Sequence, residues 1–415
     1  METVVFLSGI TRGDTLECIG RSFGPLFNAL GFELVEISLR DWEHLLDNVR
    51  ALNLAKVKFV FSFVSMGMDM KVQRADGTSF ELWPELGIPF LSIHGDSPAY
   101  FFDRHIVKNS NFVSIYGFVE HCELRKRLPR LHGPVATIWP VALNEVPKDD
   151  LDFAAKKNGT LLFLKNGKDP AQLRKLWVSW LEPRLAGAIM DLARDIEDHL
   201  DDVAGNYIDD LVLRYFGDHG FDVEQMVKLR LFFIAQLDDY ARAVKCTRMA
   251  DALADFPVEI RGNNWSHFDF SGRKATYIDE CDYVKSIGLI RSALGTIDMS
   301  PNTASLPHDR VMRAYGAHTL CLTNHQQFLE DLPHQERLTF RFEKDSIQER
   351  VADILAHKDE ALEMGVEVAE AYKKKHPPEQ SIMNMLDCAS LVRLNGLPQR
   401  PPGAQDFFVW PPAQI

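Results

Sequence analysis

The eight residues Val57–Val64 (VKFVFSFV) are apolar at nearly every position. A strand with one face in water alternates apolar and polar residues, so a near-continuous run of this length marks a parallel strand covered on both faces. Similar runs recur at Thr3–Ser8 (TVVFLS), Phe32–Ile37 (FELVEI), Pro89–His94 (PFLSIH), Phe112–Tyr116 (FVSIY) and Val135–Val141. Amphipathic segments separate them. The first is predicted as a helix over Thr15–Leu30, closed by Gly31 at the position where a left-handed residue ends a helix. Strand, helix and strand at this spacing mean βαβ units on a parallel sheet over residues 1–145.

A polar linker, Asn144–Asn158, follows, and inside it Asp150-Leu151-Asp152 has the DxD form of metal-dependent sugar transferases. The alternation then resumes. Thr160–Leu164 (TLLFL) is a strand, and Lys165 to Pro170 is the loop at its end. Residues from about 171 to 255 carry apolar positions at helical spacing, with one interruption at Gly217-Asp218-His219-Gly220. Further strands are predicted at Val258–Ile260, Ile297–Met299, Thr319–Leu322 and Leu338–Phe342. Ser346 and Glu349 form a capping box for a helix whose apolar face is Ile347, Val351, Ile354 and Leu355. Another helix over Asp359–Lys375 ends at Pro377-Pro378, and the aromatic, proline-rich tail of residues 396–415 is expected to pack back on the body.

A chain of 415 residues exceeds one compact core. Two α/β domains are therefore expected, with ligands in a cleft at the C-terminal ends of their strands. The formal net charge of −13 and the absence of a long basic run argue against a nucleic-acid partner. Six scattered cysteines with no CxxC pair form neither a disulfide framework nor a zinc cluster. METVVFLSG reads as a strand rather than a secretion signal, and no window approaches a transmembrane segment. The expected compartment is the cytoplasm.

A phosphorylated ligand at such strand ends wants backbone N–H groups at a helix start and fixed cations. Three loops of the second half offer these groups. Lys165-Asn166-Gly167-Lys168 combines charge with a close-approach glycine, although a plain strand-to-helix turn has the same composition. Arg261-Gly262-Asn263-Asn264-Trp265 offers side-chain amides to a base or ribose and an indole to stack on, against the alternative of a core tryptophan in a structural turn. Ser300-Pro301-Asn302 with Pro307-His308-Asp309-Arg310 opens a predicted helix, Arg310–Ala317, where the dipole and an arginine fork favour a diphosphate.

At this third loop the string HDRVMRAYGAHTLCLTN, followed by LTFRF and SIQERVADILAHKDEALEMGVEVAEAYKKKHP, resembles the C-terminal domain of the CgeB-like glycosyltransferases, relatives of the group 1 transferases. The matching positions are His308-Asp309-Arg310, Leu322-Thr323-Asn324 and His376, with Gly262 and Trp265 in RGNNW and, in the first half, Asp96-Ser97-Pro98. The resemblance spans roughly residues 160–388. Two departures stand out. The family's usual glycine falls on His318, and the glutamate that many group 1 enzymes carry on this helix is replaced by Met312-Arg313.

The resemblance implies GT-B architecture: two Rossmann-like domains, here with a large helical insertion in the C-terminal half. Residues 1–145 would form the acceptor-side domain and residues 158–395 the nucleotide-sugar domain, with the insertion at about 171–255. It implies metal-independent transfer of a sugar from a nucleotide-sugar donor to a glycan, protein or small-molecule acceptor, with no cofactor. Donor contacts are expected at Lys165, Asn166, Gly167, Gly262, Asn263, Trp265, Ser300, Asn302, His308, Arg310, Thr323 and Asn324. An inverting enzyme needs a base to deprotonate the acceptor hydroxyl. His94 and Asp96, at a strand end of the first domain, are the candidates. The helical insertion would serve acceptor docking or a homodimer. Two other functions fit the same scaffold: a catalytically degenerate nucleotide-binding or assembly protein, and a nucleotide-sugar epimerase.

Overall fold

A computed structural model describes residues 1–9, 15–41, 43–73, 76–105, 111–128, 134–138, 145–279 and 282–395. The expected tail at 396–415 lies outside them. The chain divides into two compact units: the described residues of Met1–Val141 with those of His376–Ile415, and Ala142–Lys375.

The first unit is built on the strands β1 (Glu2–Ser8), β2 (Phe32–Ser38), β3 (Val57–Phe63), β6 (Phe90–His94), β7 (Phe112–Tyr116) and β8 (Val135–Thr137); β4 (Lys71–Gln73) and β5 (Ser79–Glu81) form a separate antiparallel hairpin. The sheet order is β2-β1-β3-β6-β7-β8, parallel throughout. Strand β3 is the two-sided run expected. Phe59, Phe61 and Phe63 enter one apolar cluster with Phe6 and Phe27, while Val60 enters another on the opposite face with Phe90 and Trp83.

The helix expected over 15–30 is broken into Thr15–Ser22 and Gly24–Ala29. Pro25 supplies no N–H and its ring clashes with the carbonyl four residues back, so it can only restart a helix. Gly31 takes φ +83°, as a terminating glycine should.

The helix Pro378–Asn395 corrects the expected domain boundary at residue 395. It packs on the first sheet rather than the second. Ile382, Met385, Cys388, Ala389 and Val392 are fully buried in the cluster of Phe59, Phe61 and Leu91. Arg393 donates to the carbonyls of Val57 and Lys58 at 3.1 and 2.8 Å. Pro377-Pro378 does end the preceding helix, Lys358–Lys375, and Pro378 then opens the next, where a missing N–H costs nothing.

The second unit holds β9 (Leu161–Leu164), β10 (Val258–Arg261), β11 (Thr276–Ile278), β12 (Gly295–Ile297), β13 (Leu320–Asn324) and β14 (Thr339–Phe340). Their order is β11-β10-β9-β12-β13-β14, again parallel. The first strand of the unit lies in the middle and the order reverses beside it. This is the doubly wound Rossmann pattern, whose ligand crevice opens where the order reverses, between β9 and β12.

The insertion sits in the crossover from β9 to β10 as four helices: Pro170–Trp180, Pro183–Asp198, Tyr207–Asp218 and Val227–Leu253. It has three breaks rather than the single one at Gly217–Gly220. A buried two-bond pair, Arg230 with Asp209 at 2.7 Å each, ties its last two helices together.

Two sequence signals resolve into local structure. Asp152 of the DxD string caps the helix Phe153–Asn158, accepting from Ala155 N at 2.9 Å. Ser346 is not a helix cap, because the helix begins at Lys344 after Glu343; its Oγ accepts from Arg341 N at 3.0 Å instead. Among the described residues no helix is long and apolar enough to cross a membrane.

Candidate functional site

The loops after β9 and β10 are one structure rather than two. Lys165 N donates to Arg261 O and Gly167 N to Asn263 O, both at 2.8 Å. Asn263 N donates to the side chain of Asn166 at 2.9 Å. Gly262 holds φ +144°, and a Cβ there would overlap the carbonyl oxygen of Lys165. At Gly167 a Cβ would lie 2.6 Å from Asn264 O and from the Trp265 ring. Both glycines are therefore required by the close approach of the two loops.

Trp265 is 2% exposed and donates from Nε1 to Lys165 O at 2.9 Å. Its indole is fastened into the core, so the expected stacking surface is corrected to a structural one. His267 stacks against it (5.7 Å between centroids, 14° between planes) and is one of the residues that line the adjoining cavity.

That cavity measures about 740 Å³. Its walls are Lys165 to Asp169, Asn264, Ser266 and His267 from the loops, and Asp239, Arg242 and Cys246 from the helix Val227–Leu253. Lys168 and Asp239 form an ion pair on that wall.

Positive charge gathers here. Burial pushes the Lys165 ammonium down to about 8, and the nearby Arg310 and Arg242 add to the shift. The ammonium hydrogen-bonds to no described residue. Arg242 pairs with Asp238 at 2.8 Å and reaches Pro301 O at 3.3 Å. Arg310 donates from Nε to Asp298, the residue after β12, at 2.6 Å; its Nη2 is buried with no partner among the described residues.

His308 caps the helix Asp309–Gly316, with Nδ1 3.4 Å from the N–H of Arg310 and 2.6 Å from Asp309. Burial lowers the His308 pKa, and Arg310 contributes in the same direction. Against the cost of its own burial, Asp309 is held well below the usual carboxylate range by His308 and Arg313.

The remaining expected donor residues are occupied internally. Ser300 N donates to Asn324 Oδ1 at 2.8 Å, and Asn324 Nδ2 returns a bond to Ser300 Oγ at 3.2 Å. Thr323 Oγ1 accepts from Gln326 at 2.8 Å. Asn302, buried at φ +58°, donates to Asp238 and accepts from Lys245, both at 2.8 Å. These four side chains are each held by hydrogen bonds within the unit.

The departures from the family pattern also take a physical form. Arg313, near the expected glutamate, turns towards the helix Tyr283–Ser292: it lies over the Tyr283 ring at 4.5 Å and pairs with Asp309 at 2.8 Å. His318 adopts φ +47°, a conformation that explains a glycine preference at that position.

In the first unit, His94 and Asp96 differ sharply. Asp96 is exposed. His94 is 1% exposed, with Nε2 3.0 Å from Ser92 Oγ and its ring stacked on Tyr116 and close to His105. Burial, with His105 and Arg125 nearby, holds its pKa well below the usual range. It is a core histidine and does not reach the surface as an acceptor-side base would.

Sequence reasoning missed Arg242 and Asp298. The first forms an i,i+4 pair with Asp238 and reads as ordinary helix surface. The second was detectable as a carboxylate interrupting an apolar strand, Thr296-Ile297-Asp298-Met299.

Residues 242–387 match a family described as glycosyl transferase-like. No curated protein matches the chain. Among solved structures, sucrose-phosphate synthase from Thermosynechococcus elongatus aligns with a TM-score of 0.50 at 11% identity, covering 94% of this chain and 99% of that one. A DNA-modifying β-glucosyltransferase aligns at 0.49 and 8% identity, over 93% and 99% of the two chains. Anabaena HepE, solved with UDP-glucose, aligns at 0.45 and 9%, over 94% and 100%. At 11% identity the likeness to the synthase is one of fold. The chain has the two Rossmann-like domains of the GT-B glycosyltransferases.

Proposed function

We propose that this chain is a glycosyltransferase that binds the diphosphate of a nucleotide sugar beside Lys165, Arg242 and Arg310. The observation that carries the reading is the convergence of these three cations where the strand order of the second sheet reverses, beside a cavity of about 740 Å³. Sugar transfer passes through an oxocarbenium-like state, and the departing nucleoside diphosphate gathers negative charge as the bond breaks. Fixed donors aimed at that charge lower the barrier without reorganising. Lys165, Arg242 and Arg310 are such donors, so transfer proceeds without a divalent metal and survives chelation by EDTA.

The His308-Asp309-Arg310 helix start and the Leu-Thr-Asn end of β13 favour placement among the CgeB-like transferases. The nucleobase and ribose would occupy the end of the cavity lined by Asn264, Ser266 and His267. If the reaction inverts, the exposed Asp96 is the candidate base. The acceptor is a glycan, a protein or a small molecule.

Arg313 near the position of the family's glutamate favours a second reading, a nucleotide-binding protein that has lost the reaction. A donor-hydrolysis screen over several nucleotide sugars separates the two. Turnover of any one of them, abolished by Arg310→Ala, supports the enzyme; binding with no turnover of any donor or acceptor supports the second reading.

A further inference from the structure

We propose that Asp298 is a positioning residue that clasps Arg310 at Nε and so presents the far end of its guanidinium to the diphosphate. This rests on the diphosphate reading of the site. Asp298 directly follows β12, and its N–H donates to Leu322 O at 2.8 Å, which extends the β12–β13 pairing and fixes the backbone. Its side chain has no exposure, so it meets no ligand itself. Oδ1 accepts from Arg310 Nε at 2.6 Å, while Oδ2 has no partner among the described residues.

An arginine held at Nε keeps its planar fork in one orientation, and less freedom is lost when a phosphate binds. Arg310 Nη2, on the same edge of the guanidinium as Nε, is also buried with no partner among the described residues. Lys165 lies close enough to feel the like charge of Arg310.

The alternative role, simple charge neutralisation, predicts the opposite sign. Replacing Asp298 with asparagine makes the site more positive by one charge. A carboxylate that only neutralised would then leave inorganic pyrophosphate binding more tightly. A positioning carboxylate leaves it binding more weakly, by about fivefold, as expected when a hydrogen bond between charged groups is replaced by a weaker one to a neutral amide oxygen.

The experiment is calorimetric titration of pyrophosphate into the full chain and into Asp298→Asn, Arg310→Ala and the double variant. Weaker binding in Asp298→Asn that disappears in the Arg310→Ala background supports the proposal. Tighter binding in Asp298→Asn overturns it and leaves the site reading intact. Wild-type affinity in Arg310→Ala removes the site reading and the proposal with it. Should Asp298→Asn fail to fold, Arg310→Lys replaces it. A lysine can pair with Asp298 or reach the phosphate but cannot do both, so affinity should fall nearly as far as in Arg310→Ala. Wild-type affinity in Arg310→Lys overturns the proposal.

Discussion

Lys165 gives the binding site a pH dependence that can be worked from the structure. Burial and two neighbouring guanidinium groups bring its ammonium to about 8 in the free protein. An anion in the site favours the charged form, so binding above that pH must first take up a proton. At pH 7 the side chain is about nine-tenths charged and at pH 9 about one-tenth, a tenfold drop in the competent form. The Kd of a nucleotide sugar, whose diphosphate keeps the same charge across this range, should therefore rise about tenfold, or ~1.4 kcal/mol. The sign follows from the lowered pKa: affinity is full below 8 and is lost as pH rises through it. Isothermal titration at half-unit steps measures the profile. Lys165→Arg, which does not titrate here, should flatten it while retaining binding. A flat profile in the wild type, or the same slope in Lys165→Arg, would refute the assignment of Lys165 to the anion.

Gly262→Ala should cost about 2–3 kcal/mol in denaturant unfolding, because the residue is held at positive φ against Lys165 O, and it should weaken nucleotide binding as well; unchanged stability would show that the two loops are not knit as described. Ile382→Ala should destabilise the first unit by about 2–5 kcal/mol, since the side chain is fully buried on its sheet. A loss below about 1 kcal/mol would place the last helix elsewhere. Asp209→Ala removes both bonds that Asp209 accepts from the buried Arg230 and should cost about 3–5 kcal/mol, measured by the same unfolding. A cost near zero would mean that the pair is open to water.

Much of the scaffold was legible in the sequence. The run VKFVFSFV can only be satisfied by cover on both faces, and the repeated strand-helix rhythm then fixes parallel sheets. Local signals misled where tertiary contact decides. Pro25 divides a helix that apolar periodicity alone would continue. Ile382, Met385, Cys388, Ala389 and Val392 lie at helical spacing, but nothing local says which sheet they cover. At the site, Lys165, Gly167, Gly262 and Arg310 stood out as glycine and fixed charge at strand and helix ends, a composition that a plain turn shares. Trp265 was not legible, since an indole that stacks and one that is buried look alike in sequence. Arg242 comes from the middle of a long helix, where its partner four residues earlier disguises it as surface. Asp298 carried a detectable signal, an acid inside an apolar run.

The claim that these cations hold a nucleotide diphosphate stands or falls on a thermal-shift panel. Nucleoside diphosphates and nucleotide sugars would be tested against the wild type and Arg310→Ala. A ligand bound only by the folded state raises stability by RT ln(1 + [L]/Kd), about 2.7 kcal/mol at a hundredfold excess over Kd. The expected result is a rise in Tm with at least one nucleotide sugar, and its loss in Arg310→Ala measured against that variant's own unliganded Tm, which falls because the buried Asp298 loses its partner. No shift with any nucleotide, or an equal shift in both proteins, would contradict it.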